Sequence, residues 1–280
     1  HCYIGKGDKI MIPSYSWWYY KKIADEKEGI KIEYPIVEGE DSFYYDIDGM
    51  LKIYEEQKPR LVLISSPNNP TGNRLETYQL KMILQKMKDA IVVIDEAYAL
   101  FYNNDQSHLK DIINEFPNVL IIRTFSKYYG LAGIRIGYVL MGDNHAALSM
   151  FSARYLGYNR LSEQIAIATL DSTEYYEDMR NKMITDTQTY LKEFNKLEGF
   201  KAYKSYANFI LVKIPADIKD SLKKFLTERN MIVKLMAEDG LMNHLRITIG
   251  TQEQNELLLN TIKSFVSKTS VNKNELVYGV

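Results

Sequence analysis

The spacing of hydrophobic positions changes partway along the chain, and the change predicts two architectures in succession. Up to residue 141, short apolar runs at 9–13, 30–37, 60–65, 90–94, 118–124 and 133–141 read as strands. Several are near-continuous Val, Ile and Leu, the composition of strands covered on both faces. Helical patterns fall between them. Leu75, Tyr78, Met82, Ile83 and Met87 recur at three- and four-residue steps and predict a helix over 75–87 with these residues on one face. Strands alternating with helices predict an α/β sheet.

After about residue 168 the pattern lengthens. Tyr176, Met179, Met183, Thr187, Tyr190, Phe194 and Leu197 form one amphipathic stripe, and Gly199 ends it. Strands are predicted at 200–205, 208–214, 232–236 and 245–249, with a helix over 217–230 and a last helix opened by a capping box of Thr251 and Gln254. The chain therefore divides into a large domain over 1–168, a smaller α+β domain over 169–268 and a tail over 269–280.

Composition narrows the classes. Hydrophobic residues are 46% and charged residues 25%, with a formal net charge of −1, so neither nucleic acid nor an anionic membrane is an expected partner. The single cysteine, Cys2, excludes an internal disulfide and a cysteine-built zinc site, and no metal is expected. No apolar run approaches the roughly 20 residues that span a bilayer. The start, HCYIGKGDKIMIP, has no signal-peptide layout. It also lacks an initiator Met, and the expectation is that the chain opens partway through its first domain.

Four segments place polar residues at the ends of buried strands, where open α/β sheets bind ligands. Ser66-Pro67-Asn68-Asn69-Pro70-Thr71-Gly72 follows the strand at 60–65; taken alone it is a rigid turn. Asp95-Glu96-Ala97-Tyr98 ends the next strand, and its carboxylates also suit a helix cap. A strand ending Asp-Glu also resembles the magnesium segment of P-loop ATPases, but no G-x-x-x-x-G-K-[ST] loop occurs in the 280 residues. The third segment runs from Thr124-Phe125-Ser126-Lys127 to Arg135. A lysine after a strand is usually a solvated charge; this one shares a loop with hydroxyls and glycines between two apolar strands, and a hydroxyl, a buried amine and a guanidinium together suit an anionic ligand that carries an aldehyde. The fourth, His244-Leu245-Arg246-Ile247-Thr248-Ile249-Gly250, holds an arginine that is either an edge-strand charge or a bidentate clamp for a carboxylate or phosphate.

In this order and spacing the four segments resemble the fold-type-I pyridoxal-phosphate (PLP) aminotransferases, from about residue 3 to residue 266. The likeness is greatest to the histidinol-phosphate aminotransferase branch and its threonine-phosphate decarboxylase relatives. It implies a mixed seven-stranded large domain, lacking its N-terminal part here, and a small α+β domain. It implies that Lys127 holds the cofactor covalently and then serves as general acid/base, and that Asp95 pairs with the pyridine nitrogen. Asn69 and Tyr98 would bond the phenolate oxygen, Arg135 with Thr124 or Ser126 the phosphate, and Tyr15 would stack on the ring. Arg246 would bind the substrate's anionic group, with Asn208 nearby.

The chain departs from the branch in two respects. A Gly-Ser phosphate loop, an N-terminal arm and a tyrosine donated to the partner subunit are not among these residues, and Lys234 stands where histidinol-phosphate aminotransferases usually carry arginine. The implied reaction is ping-pong transamination between a small anionic amino donor and a 2-oxo acid, in a cytoplasmic homodimer. The alternatives are a decarboxylase of a phosphorylated amino acid and a non-catalytic protein of the same fold.

Overall fold

The computed structural model describes residues 2–103, 105–142, 144, 145, 148 and 159–278, with the side chains of 269–278 outside that description. The chain opens on β1 (Lys9–Pro13), passes through helix α1 (Trp18–Glu26) and returns as β2 (Ile30–Tyr34), parallel to β1. Pro35 has no N–H for a sheet ladder. The run at 30–37 therefore breaks there, and β3 (Ile36–Glu38) pairs instead with β4 (Phe43–Tyr45) in a separate antiparallel ribbon. Asp46 caps α2 (Ile47–Gln57) by accepting from the Gly49 N–H at 3.0 Å.

The main sheet continues through β5 (Leu61–Ser65), α3 (Thr77–Lys86), β6 (Ile91–Asp95), α4 (Ser107–Glu115), β7 (Val119–Thr124) and β8 (Gly137–Met141). Its six strands lie in the order β2-β1-β5-β6-β7-β8, parallel throughout except for β8, which runs antiparallel to β7. Val62, Ile64, Val92, Ile94, Val119 and Ile121 are fully buried, as their uninterrupted apolar sequence requires. Ser65 is registered with Asp95, and Asp95 with Ile122. Three loops that carry polar residues thus leave the sheet along one edge.

Two expectations are corrected here. Helix α3 buries Leu80, Ile83 and Leu84, while Tyr78 and Met82 are exposed, so the stripe read from the sequence mixes two faces. The run at 133–141 becomes strand only from Gly137; residues 132–134 form a 3-10 turn and Arg135 takes a left-handed conformation at φ 56°.

In the second half, α5 (Arg160–Leu170) starts at Asn159, whose Oδ1 accepts from the Leu161 N–H at 2.9 Å. Helix α6 (Thr173–Phe194) carries the long stripe and uses it on two bodies. Tyr176 and Met179 pack beside Tyr98 and Tyr128 of the first half, whereas Tyr190 and Phe194 are buried against the second sheet. That sheet is antiparallel, with β9 (Lys201–Ala202), β10 (Phe209–Lys213), β11 (Lys234–Leu235) and β12 (His244–Thr248) in the order β11-β12-β10-β9. Helices α7 (Lys219–Thr227) and α8 (Gln252–Tyr278) cover it. The capping box forms: Thr251 N–H donates to Gln254 Oε1, and Gln254 N–H donates to Thr251 Oγ1. Helix α8 continues through residue 278, over most of the stretch expected as a tail; residues 279 and 280 lie outside the described residues. Tyr203, Leu211, Met236 and Leu241 enter the same apolar core as Met11 and Ile64, so the two sheets share buried surface.

Candidate active site

Asp95 ends β6, where the parallel ladder stops and the chain turns. Its carboxylate Oδ1 accepts from the Ala97 N–H at 2.9 Å and Oδ2 from the Tyr20 hydroxyl at 2.5 Å. Burial pushes its pKa above the ordinary carboxylate value, against the pull of these donors and of the Lys127 ammonium. The carboxylate caps a turn rather than a helix: the 3-10 turn after it, Ala99–Phe101, takes no side-chain cap.

The neighbouring Glu96 turns the other way. Its Oε2 accepts from Arg123 Nε and Nη2 at 2.9 and 2.6 Å, and its Oε1 lies 3.1 Å from His108 Nε2. Arg123 Nη1 donates to Gln106 Oε1 at 2.7 Å. With Glu96 7% and Arg123 3% exposed, this is a dry ion pair tying the end of β6 to the end of β7.

The loop after β5 is held by its own polar groups. Buried Asn68 donates from Nδ2 to Thr71 Oγ1 and to the Tyr15 carbonyl. Gly72 sits at φ 74° against Ser205, where a Cβ would lie 2.4 Å from Ser205 Oγ. Asn69 is left to face the second sheet: its Oδ1 accepts from Arg246 Nη1 at 2.6 Å. Arg246 lies on β12, flanked by both β11 and β10, so it is not an edge-strand charge. Its guanidinium stands 5.2 Å from the Phe209 ring, and its Nε is buried without a hydrogen-bond partner. Tyr98, buried, packs edge-on against Phe209 at 5.3 Å and feels the Arg246 charge, which opposes the upward push of burial on its phenol.

Lys127 lies in the turn after β7, with Nζ 5.6 Å from the centre of the Tyr98 ring. The turn closes on itself through Gly130 N–H to the Lys127 carbonyl and Leu131 N–H to the Phe125 carbonyl, with Gly130 at φ 67°. Within it Thr124 Oγ1 accepts from the Ser126 N–H at 3.0 Å. Arg135 is exposed, and its Nη1 donates to the Ala132 carbonyl. Lys127 and Asn208 both line a cavity of about 840 Å³ that runs between α6 and the first turn of α8.

The fold thus brings Asp95, Tyr98, Lys127, Asn69 and Arg246 into one group, with Thr124 and Ser126 in the lysine's own loop. Lys234 is the direct cross-strand partner of Arg246, which puts the two cations on one face of the second sheet. Tyr15 stands apart: its ring is edge-on to Phe43 at 6.1 Å and its hydroxyl end abuts Gly240, at φ 82°. Sequence reasoning misses Tyr20, one of four consecutive aromatics with nothing to single it out, and takes Glu96 for a cap. Arg123 in an otherwise apolar strand is the available signal for the ion pair.

A model of the aminotransferase class I and II family matches residues 1–262. The chain belongs to that family. It is 37% identical over 269 residues to a histidinol-phosphate aminotransferase of Thermoanaerobacter pseudethanolicus, covering 94% of this chain and 73% of that one. It is 34% identical to the histidinol-phosphate aminotransferase of Ruminiclostridium cellulolyticum, covering 93% and 71%. The crystal structure of the Sinorhizobium meliloti histidinol-phosphate aminotransferase in complex with PLP shares the fold, with a TM-score of 0.82 at 23% identity over 95% of this chain and 72% of that one. The chain is a PLP-dependent aminotransferase of fold type I, and its reaction transfers an amino group from an amino donor to a 2-oxo acid acceptor.

The residues of this aminotransferase fit the cofactor chemically. A half-buried carboxylate held by two donors suits a protonated ring nitrogen, the hydroxyls of Thr124 and Ser126 suit a phosphate, and Lys127, expected from the sequence as a buried amine, is exposed. The orphaned Nε of Arg246 is an unfilled donor for an anion. Among the described residues no cluster of three or more His, Cys, Asp or Glu suits a metal, and no helix is long and apolar enough to cross a membrane.

Proposed function

We propose that this aminotransferase takes its amino group from a small phosphorylated donor of the histidinol-phosphate kind, in a cytoplasmic homodimer. The observation that carries the substrate class is the direct pairing of Lys234 with Arg246 across β11 and β12, beside the buried Nε of Arg246. Two cations on one face attract a doubly charged anion more strongly than a single carboxylate. The named activity of the relatives supports the same class. For the dimer, the support is exposed apolar surface, with Trp18 58% and Leu161 69% accessible.

When bound, PLP supplies an aldehyde and an electron-accepting ring. In this reading Lys127 holds it covalently, and Nζ, once released, takes the proton leaving the donor's amino-bearing carbon. Asp95 keeps the ring nitrogen protonated. Asn69, already oriented by Arg246, and Tyr98 donate to the ring oxygen. Thr124, Ser126 and Arg135 hold the cofactor phosphate. Arg246 and Lys234, with Asn208 at the cavity side, orient the donor.

A donor panel tests the reading. Histidinol phosphate, its dephosphorylated form, a phosphorylated amino acid and plain amino acids are compared, with 2-oxo acid consumption and carbon dioxide release both measured. Arg246→Ala should raise KM for every anionic donor, and Lys234→Ala only for phosphorylated ones. Equal effects of Lys234→Ala on plain and phosphorylated donors refute the phosphate pocket. Carbon dioxide release in step with turnover makes the enzyme a decarboxylase instead.

A further inference from the structure

Asp95 is the group assigned to the ring nitrogen, and the role inferred here for its neighbour Tyr20 rests on that assignment. Asp95 is held at both oxygens by groups far apart in sequence. Oδ1 takes the N–H of Ala97, two residues on, and Oδ2 takes the hydroxyl of Tyr20, which α1 delivers from 75 residues upstream. The Tyr20 ring is 4% exposed and packs among Ile10, Ile12, Leu63 and Val93. Its hydroxyl is the one polar atom of that side chain, and it is directed at a carboxylate, with the Ser65 hydroxyl reaching the same phenol oxygen.

We propose that Tyr20 is a positioning residue: its hydroxyl fixes the Asp95 carboxylate in one rotamer and favours its ionised form, as required to pair with a protonated pyridine nitrogen. An O–H donated to a carboxylate is a charge-assisted bond, stronger than the same bond to a neutral acid, so it stabilises the anion selectively. That pull is needed because burial acts the other way. The other groups facing Asp95 do not decide the matter: Glu96 disfavours the anion, Lys127 favours it, and the buried phenols of Tyr45 and Tyr98 are neutral. Turning Asp95 away from the ring would break both the Ala97 and the Tyr20 bonds, so the pair also sets direction.

A merely structural role for Tyr20 predicts something different, because its ring, not its hydroxyl, fills the core. Tyr20→Phe keeps the ring and deletes the hydroxyl; 3-fluorotyrosine installed at position 20 keeps both and makes the phenol a stronger donor. The readout is PLP affinity of the full chain against pH, by equilibrium dialysis, with Asp95→Asn as control. The acid limb of that profile should vanish in Asp95→Asn. It should move up by about one pH unit in Tyr20→Phe, the size expected for one charge-assisted bond, and move down in the fluorinated protein. If Asp95→Asn loses the limb while both Tyr20 proteins keep the wild-type profile, the role of Tyr20 is refuted and that of Asp95 stands. If Asp95→Asn keeps the limb, the pairing of Asp95 is wrong and the proposal falls with it. Should Tyr20→Phe not fold, the fluorinated protein decides alone: a downward shift supports the proposal and an unmoved limb overturns it.

Discussion

Replacing Arg123 by methionine isolates the cost of the ion pair behind the site. The change removes the hydrogen bonds that Arg123 donates to Glu96 and Gln106, and leaves a carboxylate 7% exposed with His108 as its charged partner among the described residues. Methionine fills most of the arginine stem's volume, so the cavity contribution is small and the uncompensated charge dominates. Breaking a buried pair by removing one partner costs about 3–5 kcal/mol. Urea unfolding at neutral pH, followed by tryptophan fluorescence, should show a loss of that size. Adding Glu96→Gln should recover roughly half, because the orphaned charge is then gone.

The pH dependence supplies a second signature. Burial alone would raise the Glu96 pKa, but His108 and Arg123 hold it below the usual carboxylate value. A depressed folded pKa gives stability that is complete above the unfolded pKa and lost as pH falls through the folded one. Arg123→Met removes the depression, so the gap between wild type and variant should narrow on acidification. A loss below about 1 kcal/mol that disappears at high salt is the behaviour of an exposed pair, and it would overturn the assignment of a buried one.

Asp95→Asn is nearly isosteric and should leave the circular dichroism unchanged while lowering turnover at least about a hundredfold, or roughly 3 kcal/mol of barrier; near-normal turnover would make Asp95 a turn cap and no more. His244, 1% exposed between the rings of Phe43 and Tyr203, has its pKa pushed by burial from 6.5 down to about 4. The unfolded chain takes up that proton first, so stability should be full above pH 6.5 and fall by roughly 3 kcal/mol toward pH 4. His244→Phe should flatten that part of the urea-midpoint profile, and an unchanged slope would assign the acid sensitivity to other groups.

How much of the molecule is legible in the sequence depends on the range of the interactions involved. The buried strands β1, β5, β6 and β7 are legible within a residue or two, because burial on both faces leaves a continuous apolar run. Helix α3 is placed correctly but its face is misread, since Tyr78 and Met82 are apolar yet exposed. Chain breaks that depend on one residue, such as Pro35 between β2 and β3 or the left-handed Arg135 before β8, are smoothed over by the hydrophobic pattern. Asn69, Asp95, Lys127 and Arg246 are recognisable because each sits in a segment whose polar content contradicts the strand it adjoins. Tyr20 is not, because its role exists only once α1 lies against the end of β6, 75 residues away.

Every role assigned within this site depends on Lys127 carrying the cofactor. Reducing the PLP-loaded protein with borohydride and mapping the modified peptide examines that attachment without any assumption about the substrate. The pyridoxyl group should appear on the Lys127 peptide alone. Lys127→Ala should show no covalent label at that peptide and should still bind PLP reversibly. A label on any other lysine in the wild-type protein would contradict the assignment.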